Sequence, residues 1–160
     1  QMDADLSHAP ESIPAMIHAL ENADVVVGSR YVAGGKVDAQ WGWPRRALSR
    51  YGNAYTRWVG GVLIHDASSG FKAFRRQVIE ALPLDSLQCK GFGFQAEVTM
   101  ACKTLGYSII EHPIHFVDRQ RGASKISWGI VWEALWRLPL IRIRNRALGK
   151  TADYLRRREN

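Results

Sequence analysis

The run Ala23-Asp24-Val25-Val26-Val27-Gly28 constrains the fold most. Three consecutive valines with no polar alternation mark a strand buried on both faces, the kind a parallel sheet contains. A helical pattern precedes it over 10–21, with Pro10 in the first turn and Ser7 or His8 near the start. Apolar residues recur at helical spacing over 45–63, and 70–74 reads as a strand. A short helix over 77–82 ends at Pro83. Lys90-Gly91-Phe92-Gly93 reads as a flexible loop, and 94–105 as a helix closed by Gly106. Segments 107–111 and 114–117 read as two strands split at Pro113, followed by a polar loop over 118–125 and a helix over 126–138. Strand–helix alternation with paired strands near the end predicts an α/β fold with a mixed sheet.

Composition sets the limits. The chain has 160 residues, 46% of them hydrophobic, enough for one domain with a real core. Its net charge of +7 is unevenly placed. Residues 137–160 hold eight Lys/Arg and two Asp/Glu, a net of +6, so the rest is nearly neutral. Such a tail suits a polyanion, either nucleic acid or anionic lipid. Cys89 and Cys102 form no C-x-x-C and no metal spacing, and read as reduced structural thiols. No stretch reaches the roughly 18 apolar residues of a spanning helix.

Asp3 and Asp5 stand one residue apart, after what reads as the end of a strand. On an extended backbone they point to the same side. Two hard carboxylate ligands suit Mg²⁺ or Mn²⁺ shared with a diphosphate. The plain alternative is a capping cluster for the helix that begins at Pro10. Asp3 is reached with no strand or loop before it. The expectation is that this is the later part of a longer domain, with the site for a nucleotide base upstream.

The motifs then come in a telling order: DADLSH, VVVGSRY, W-x-x-P-R-R-A-L-S-R-Y-G-N, D-x-S-S-G-F-K-A-F-R-R, KGFGFQAE and HPIHFVDRQRGASK. In this order they resemble the family-2 glycosyltransferases, most of all those of the polyprenol-phosphate (dolichol-phosphate) mannose synthase type. The resemblance implies a GT-A fold, a Rossmann-like mixed sheet flanked by helices, with its first portion missing. Residues 1–128 would be the later part of that domain, and 129–160 an amphipathic helix and basic tail.

The implied reaction moves mannose, with inversion, from GDP-mannose to a polyprenol monophosphate. The acceptor phosphate is already ionised and needs no general base. What it needs is cations and donors that hold it in line with the sugar C1. By resemblance Arg30, Arg45, Ser49 and Arg119 belong to that acceptor cluster, with Lys125 beside it. Asp3 and Asp5 would hold the metal, with Ser7 where the family often has a Gln ligand. Asp5 and Arg119 carry the catalytic expectation, and Asp66, Gln95 and Glu97 the donor-sugar side. Asp66 is equally a cap for the Ser68-Ser69-Gly70 turn, and Glu97 equally a helix-dipole contact. A lipid acceptor implies a peripheral protein on the cytoplasmic face of a membrane, held there by its own surface or by a separate anchor domain or protein.

Two other readings are kept. A polyprenol-phosphate glucosyltransferase, or another family-2 enzyme, would share these motifs. A basic nucleotide- or nucleic-acid-binding module would instead interleave aromatic and basic residues on a sheet face. Here the basic residues follow strands or lie in the tail, so no nucleic-acid partner is expected. Trp128, Trp132 and Trp136 form a stripe at helical spacing, open between an interfacial anchor and docking onto the rest of the domain.

Overall fold

The computed structural model describes residues 1–5, 7–118, 132–133 and 135–145. A 3-10 turn, Pro10–Ser12, leads into helix α1, Ile13–Ala19. Strand β1 is Val25–Ser29 and helix α2 is Trp43–Gly60. Strand β2, Lys72–Phe74, is followed by α3, Arg76–Ala81, and by α4, Gly91–Thr104. Strand β3 is Ile109–Pro113. Residues 135–145 form a last helix, α5, with 132–133 helical just ahead of it.

The sheet has the order β2-β1-β3. β1 pairs parallel with β3, from Val25 opposite Ile109 to Ser29 opposite Pro113, and antiparallel with β2, Val25 opposite Phe74. All five β1 residues are buried, which is why its valines do not alternate with polar residues. Val26 packs with Met16 of α1 on one face, and Val25 and Val27 pack with Val98, Ala101 and Cys102 of α4 on the other. The α/β expectation, a mixed sheet flanked by helices, is met. Both cysteines are buried free thiols, as their spacing suggested.

Three local expectations are corrected. Gly91–Gly93 is the first turn of α4 and not a loop. Glu97 reaches back from the second turn to accept the N–H groups of Gln88 and Cys89 at 3.0 and 2.9 Å, which ties the entering chain to the helix. β3 also runs through Pro113 rather than stopping before it. Pro113 ends a strand at the border of the sheet, where a missing N–H removes no interior ladder bond. Finally, α5 continues past Leu138 through Pro139 to residue 145. Pro139 cannot donate to the carbonyl of Leu135 one turn back. The Tyr55 hydroxyl donates to that carbonyl instead, at 2.5 Å.

Lys72, at the start of β2, is buried on the α4 side. Its Nζ donates to the carbonyl of Ser69 at 2.5 Å, to Gln95 Oε1 at 2.9 Å and to the Gln95 carbonyl at 3.3 Å. Burial lowers its pKa from 10.5 to about 7, against the opposing pull of Asp66 and Asp3. Between those values the unfolded chain binds a proton that the folded chain lacks. The penalty of this lysine is therefore complete below pH 7 and shrinks as pH rises. The stability difference between Lys72→Met and the parent should narrow from pH 7 to about 8.5, approaching about 1.4 kcal/mol per pH unit. Above that range the unfolded thiols begin to ionise, while burial pushes Cys89 up to about 12 and Cys102 to about 11 in the fold. Urea unfolding across the window is the measurement, and a pH-independent difference would show that Lys72 keeps its charge inside.

Candidate active site

The first residue after β1 and the turn before β2 meet in a buried ion pair. Arg30 Nε donates to Asp66 Oδ2 at 2.7 Å and an Arg30 terminal nitrogen to Oδ1 at 2.7 Å. The Arg30 backbone N–H adds a third bond to Oδ2 at 3.0 Å. Asp66 is fully buried. Burial works to lower the Arg30 pKa, but the bonds and charge of Asp66 outweigh it and hold the guanidinium above its ordinary value. The groups around this pair are polar too. Asn53 of α2 donates to Asp66 Oδ1 at 3.3 Å and accepts the Ser68 N–H at 3.0 Å. Glu111 of β3 accepts the N–H groups of His65 and Asp66 at 2.9 and 3.0 Å. The end of β1 and α2 are thereby fastened to the Asp66 carboxylate, and β3 to the backbone of the same turn through the Glu111 carboxylate.

Arg30 and Arg45 both lie against the indole of buried Trp41, their Cζ atoms 5.7 and 4.0 Å from the ring centroid. The indole edges onto Phe116 at 5.6 Å. Arg45 makes a two-pronged pair with Asp118, at 2.5 and 3.1 Å. Ser49, one turn along α2, takes the Tyr31 hydroxyl at 2.7 Å. Three of the residues expected at an acceptor phosphate, Arg30, Arg45 and Ser49, thus gather at the start of α2. Beside them a cavity of about 380 Å³ is lined by Arg30, Tyr31, Asn53 and His65, with Arg50 and Arg57 from α2. Arg119 and Lys125, the other two, lie outside the described residues.

The chain bends at Ala4 and Asp5, so strand alternation does not relate Asp3 to Asp5 as the extended reading supposed. Asp3 turns towards the S-S-G turn and His8. A Cβ on Gly70 would sit 2.8 Å from Asp3 Oδ2, so this glycine leaves the space the carboxylate uses. Asp3 Oδ2 is 3.6 Å from Nε2 of buried His8, whose pKa burial lowers against the pull of Asp3. Asp5 Oδ1 accepts the Ser7 hydroxyl at 2.5 Å and the Ser7 N–H at 3.1 Å, so Ser7 is placed on Asp5. Among the described residues no three His, Cys, Asp or Glu side chains come together in a metal-binding group. Two carboxylates with the remaining positions left to phosphate and water are the donor set that suits Mg²⁺ or Mn²⁺.

Gln95 and Glu97, expected on the donor side, sit inside. Gln95 accepts Lys72 Nζ, and buried Glu97 accepts Arg144 of α5 at 2.6 Å besides its two backbone donors. Sequence reasoning passed over Asn53, Lys72, Glu111 and Asp118. Lys72, Asn53 and Asp118 stood within the motifs FKAF, SRYGN and FVDRQ, but nothing in their spacing distinguishes a network residue from a surface one.

The two Arg–carboxylate pairs differ in burial, and their removal should differ accordingly. Asp66→Asn leaves a buried guanidinium uncompensated and should destabilise by about 3–5 kcal/mol. Asp118→Asn breaks a partly exposed pair and should cost about 1 kcal/mol or less. Urea unfolding of both variants tests this, and equal losses would contradict it.

The chain also matches known proteins. Residues 1–82 match the glycosyl transferase family 2 domain. The chain is 42% identical over 147 residues to polyprenol monophosphomannose synthase of Mycolicibacterium smegmatis, covering 91% of this chain and 55% of that protein. It is 43% identical over 135 residues to undecaprenyl-phosphate mannosyltransferase of Micrococcus luteus, covering 84% and 55%. It is 36% identical over 137 residues to dolichol-phosphate mannosyltransferase of Pyrococcus furiosus, covering 84% and 37%. The chain thus spans about half the length of the first two of these relatives. Its mixed sheet with flanking helices is consistent with the GT-A fold of such enzymes. The chain belongs to glycosyl transferase family 2.

Proposed function

We propose that the protein containing this chain transfers mannose from GDP-mannose to a polyprenol monophosphate, with inversion at C1. The observation that carries the reading is the convergence of Arg30 and Arg45 on the Trp41 indole, with Ser49 one turn away. Two guanidinium groups and a hydroxyl at one place suit a phosphate: Asp66 already takes one side of Arg30, which would meet the phosphate with its other terminal nitrogen, and Arg45 would meet it with its planar fork. The names of the three relatives, each for mannose or phosphomannose and a polyprenol, support the same substrate class.

In this reading an acceptor phosphate oxygen attacks C1. The C1–O bond to the donor diphosphate breaks, and its electron pair stays on the diphosphate. Attack from the opposite face inverts the centre. Arg30 and Arg45 hold the nucleophile, and the stack on Trp41 fixes their planes before substrate arrives. Asp118, partly exposed on Arg45, occupies the fork that a phosphate would take. Arg119 and Lys125 complete the phosphate cluster by resemblance. Asp66 acts on the acceptor side as the anchor of Arg30. When bound at Asp3 and Asp5, a Mg²⁺ or Mn²⁺ ion would supply counter-charge for the departing diphosphate.

The acceptor is a lipid, so we place the reaction at the cytoplasmic face of a membrane, with the protein peripheral or held by a separate anchor domain or protein. No helix of the described residues is long and apolar enough to cross a membrane.

The test offers decaprenyl phosphate to the full-length protein with GDP-mannose and UDP-glucose side by side. Product from GDP-mannose is expected, and product from UDP-glucose alone would overturn the donor. Asp3→Ala and Asp5→Ala should each lower transfer by about 100-fold or more. Chelator should abolish transfer, and Gly70→Ala, which crowds Asp3, should raise the metal concentration needed. Full activity in excess chelator would remove the metal from the proposal.

A further inference from the structure

Two helices carry large apolar side chains on faces that the core leaves open. On α2, Trp43, Tyr51 and Trp58 are 80%, 76% and 78% exposed. They lie eight and seven residues apart, which is one face of a helix. Ahead of and along α5, Trp132, Trp136 and Ile143 are 72%, 51% and 66% exposed, again at helical spacing. Leu138 and Ile141 turn the opposite side of α5 into the core against Val59 and Val62, so the outer face cannot rotate inward. The helices are joined. The Tyr55 hydroxyl donates to the Leu135 carbonyl, and Arg142 donates to the carbonyls of Trp58 and Val59 at 3.1 and 2.6 Å. The two apolar faces therefore flank a single seam.

We propose that this two-helix face is the surface by which the protein docks onto an anionic lipid bilayer. The charge on α2 selects that partner. α2 carries four arginines and no acidic residue. Arg50 and Arg57 directly precede Tyr51 and Trp58 in sequence, are exposed, and line the cavity of about 380 Å³ that Arg30 also lines. A row of indoles and a phenol beside a row of guanidiniums matches the boundary between acyl chains and anionic headgroups. A second copy of the chain fits badly, because a two-fold contact through α2 would set these arginines against one another. Through Arg50 and Arg57 the face adjoins the cavity that Arg30 lines, so docking would bring a lipid-borne phosphate to the site. That last step rests on the proposed function. The docking surface rests on the exposed faces and their charge.

The experiment uses full-length protein and sedimentation with vesicles of phosphatidylcholine alone or mixed with phosphatidylglycerol. The parent should bind the mixed vesicles, more weakly as salt rises. Trp58→Ser with Ile143→Ser, one change on each helix, should lower that binding by about tenfold or more. Arg50→Ser with Arg57→Ser should lower the preference for the anionic vesicles severalfold, the basic stretch 137–160 supplying what remains. Brominated lipid should quench the tryptophan fluorescence of the parent, a readout that needs no variant to fold. Absence of quenching overturns the proposal, as does parent-like binding by both double variants, the result expected if another protein segment covers the face. Transfer to a short-chain acceptor in detergent is assayed in parallel. Its failure with vesicle binding intact refutes the reaction and leaves the surface standing, and the reverse refutes only the surface.

Discussion

The bond between Arg30 and Asp66 holds the rest of the site in place. A fully buried carboxylate needs a compensating cation and a full set of donors. Asp66 obtains them from the end of β1, from α2 through Asn53 and from its own turn through Ser68. The turn itself hangs on Glu111 of β3 through two backbone N–H groups. Three elements distant in sequence therefore have one relative arrangement that satisfies the carboxylate. Arg30 is consequently held where it meets Trp41, and Trp41 is where Arg45 stacks.

The same logic organises the opposite side of α4. Glu97 accepts from the chain before the helix and from Arg144 of α5. Its burial is tolerable because every bond it accepts comes from a donor fixed by the fold. Lys72 is the mirror case, a buried cation with neutral oxygens around it, and so its charge is the part that yields. Between these two groups α4 is bound to the sheet on one side and to α5 on the other. α5 then turns one apolar side inward and leaves another outward beside α2.

Much of this was legible in the chain. The valine run announced a central strand, and the helices followed from periodicity with small errors at their ends. The errors have physical causes. Gly91 and Gly93 suggest a loop by propensity, yet Glu97 fixes the chain that enters the helix. Pro139 suggests a stop, yet a hydroxyl from α2 satisfies the carbonyl it orphans. The first is a side chain of the helix itself reaching back past its start, and the second is a residue 80 positions away in the chain. At the site, Arg30, Arg45 and Ser49 were singled out from motif order, and the fold brings them together. Gln95 and Glu97 look the same in sequence whether they face a ligand or the core, and only packing separates those cases.

Sequence alone determined the element types, the centrality of β1 and the family, because these depend on local periodicity and on residues fixed in order along the chain. Tertiary structure alone decided that Arg30 pairs with Asp66, that Gly70 makes room for Asp3, and that the outer faces of α2 and α5 lie side by side. Those facts depend on distances between segments far apart in the chain. Such distances follow from which buried polar groups find partners, and no spacing along a single strand or helix encodes that.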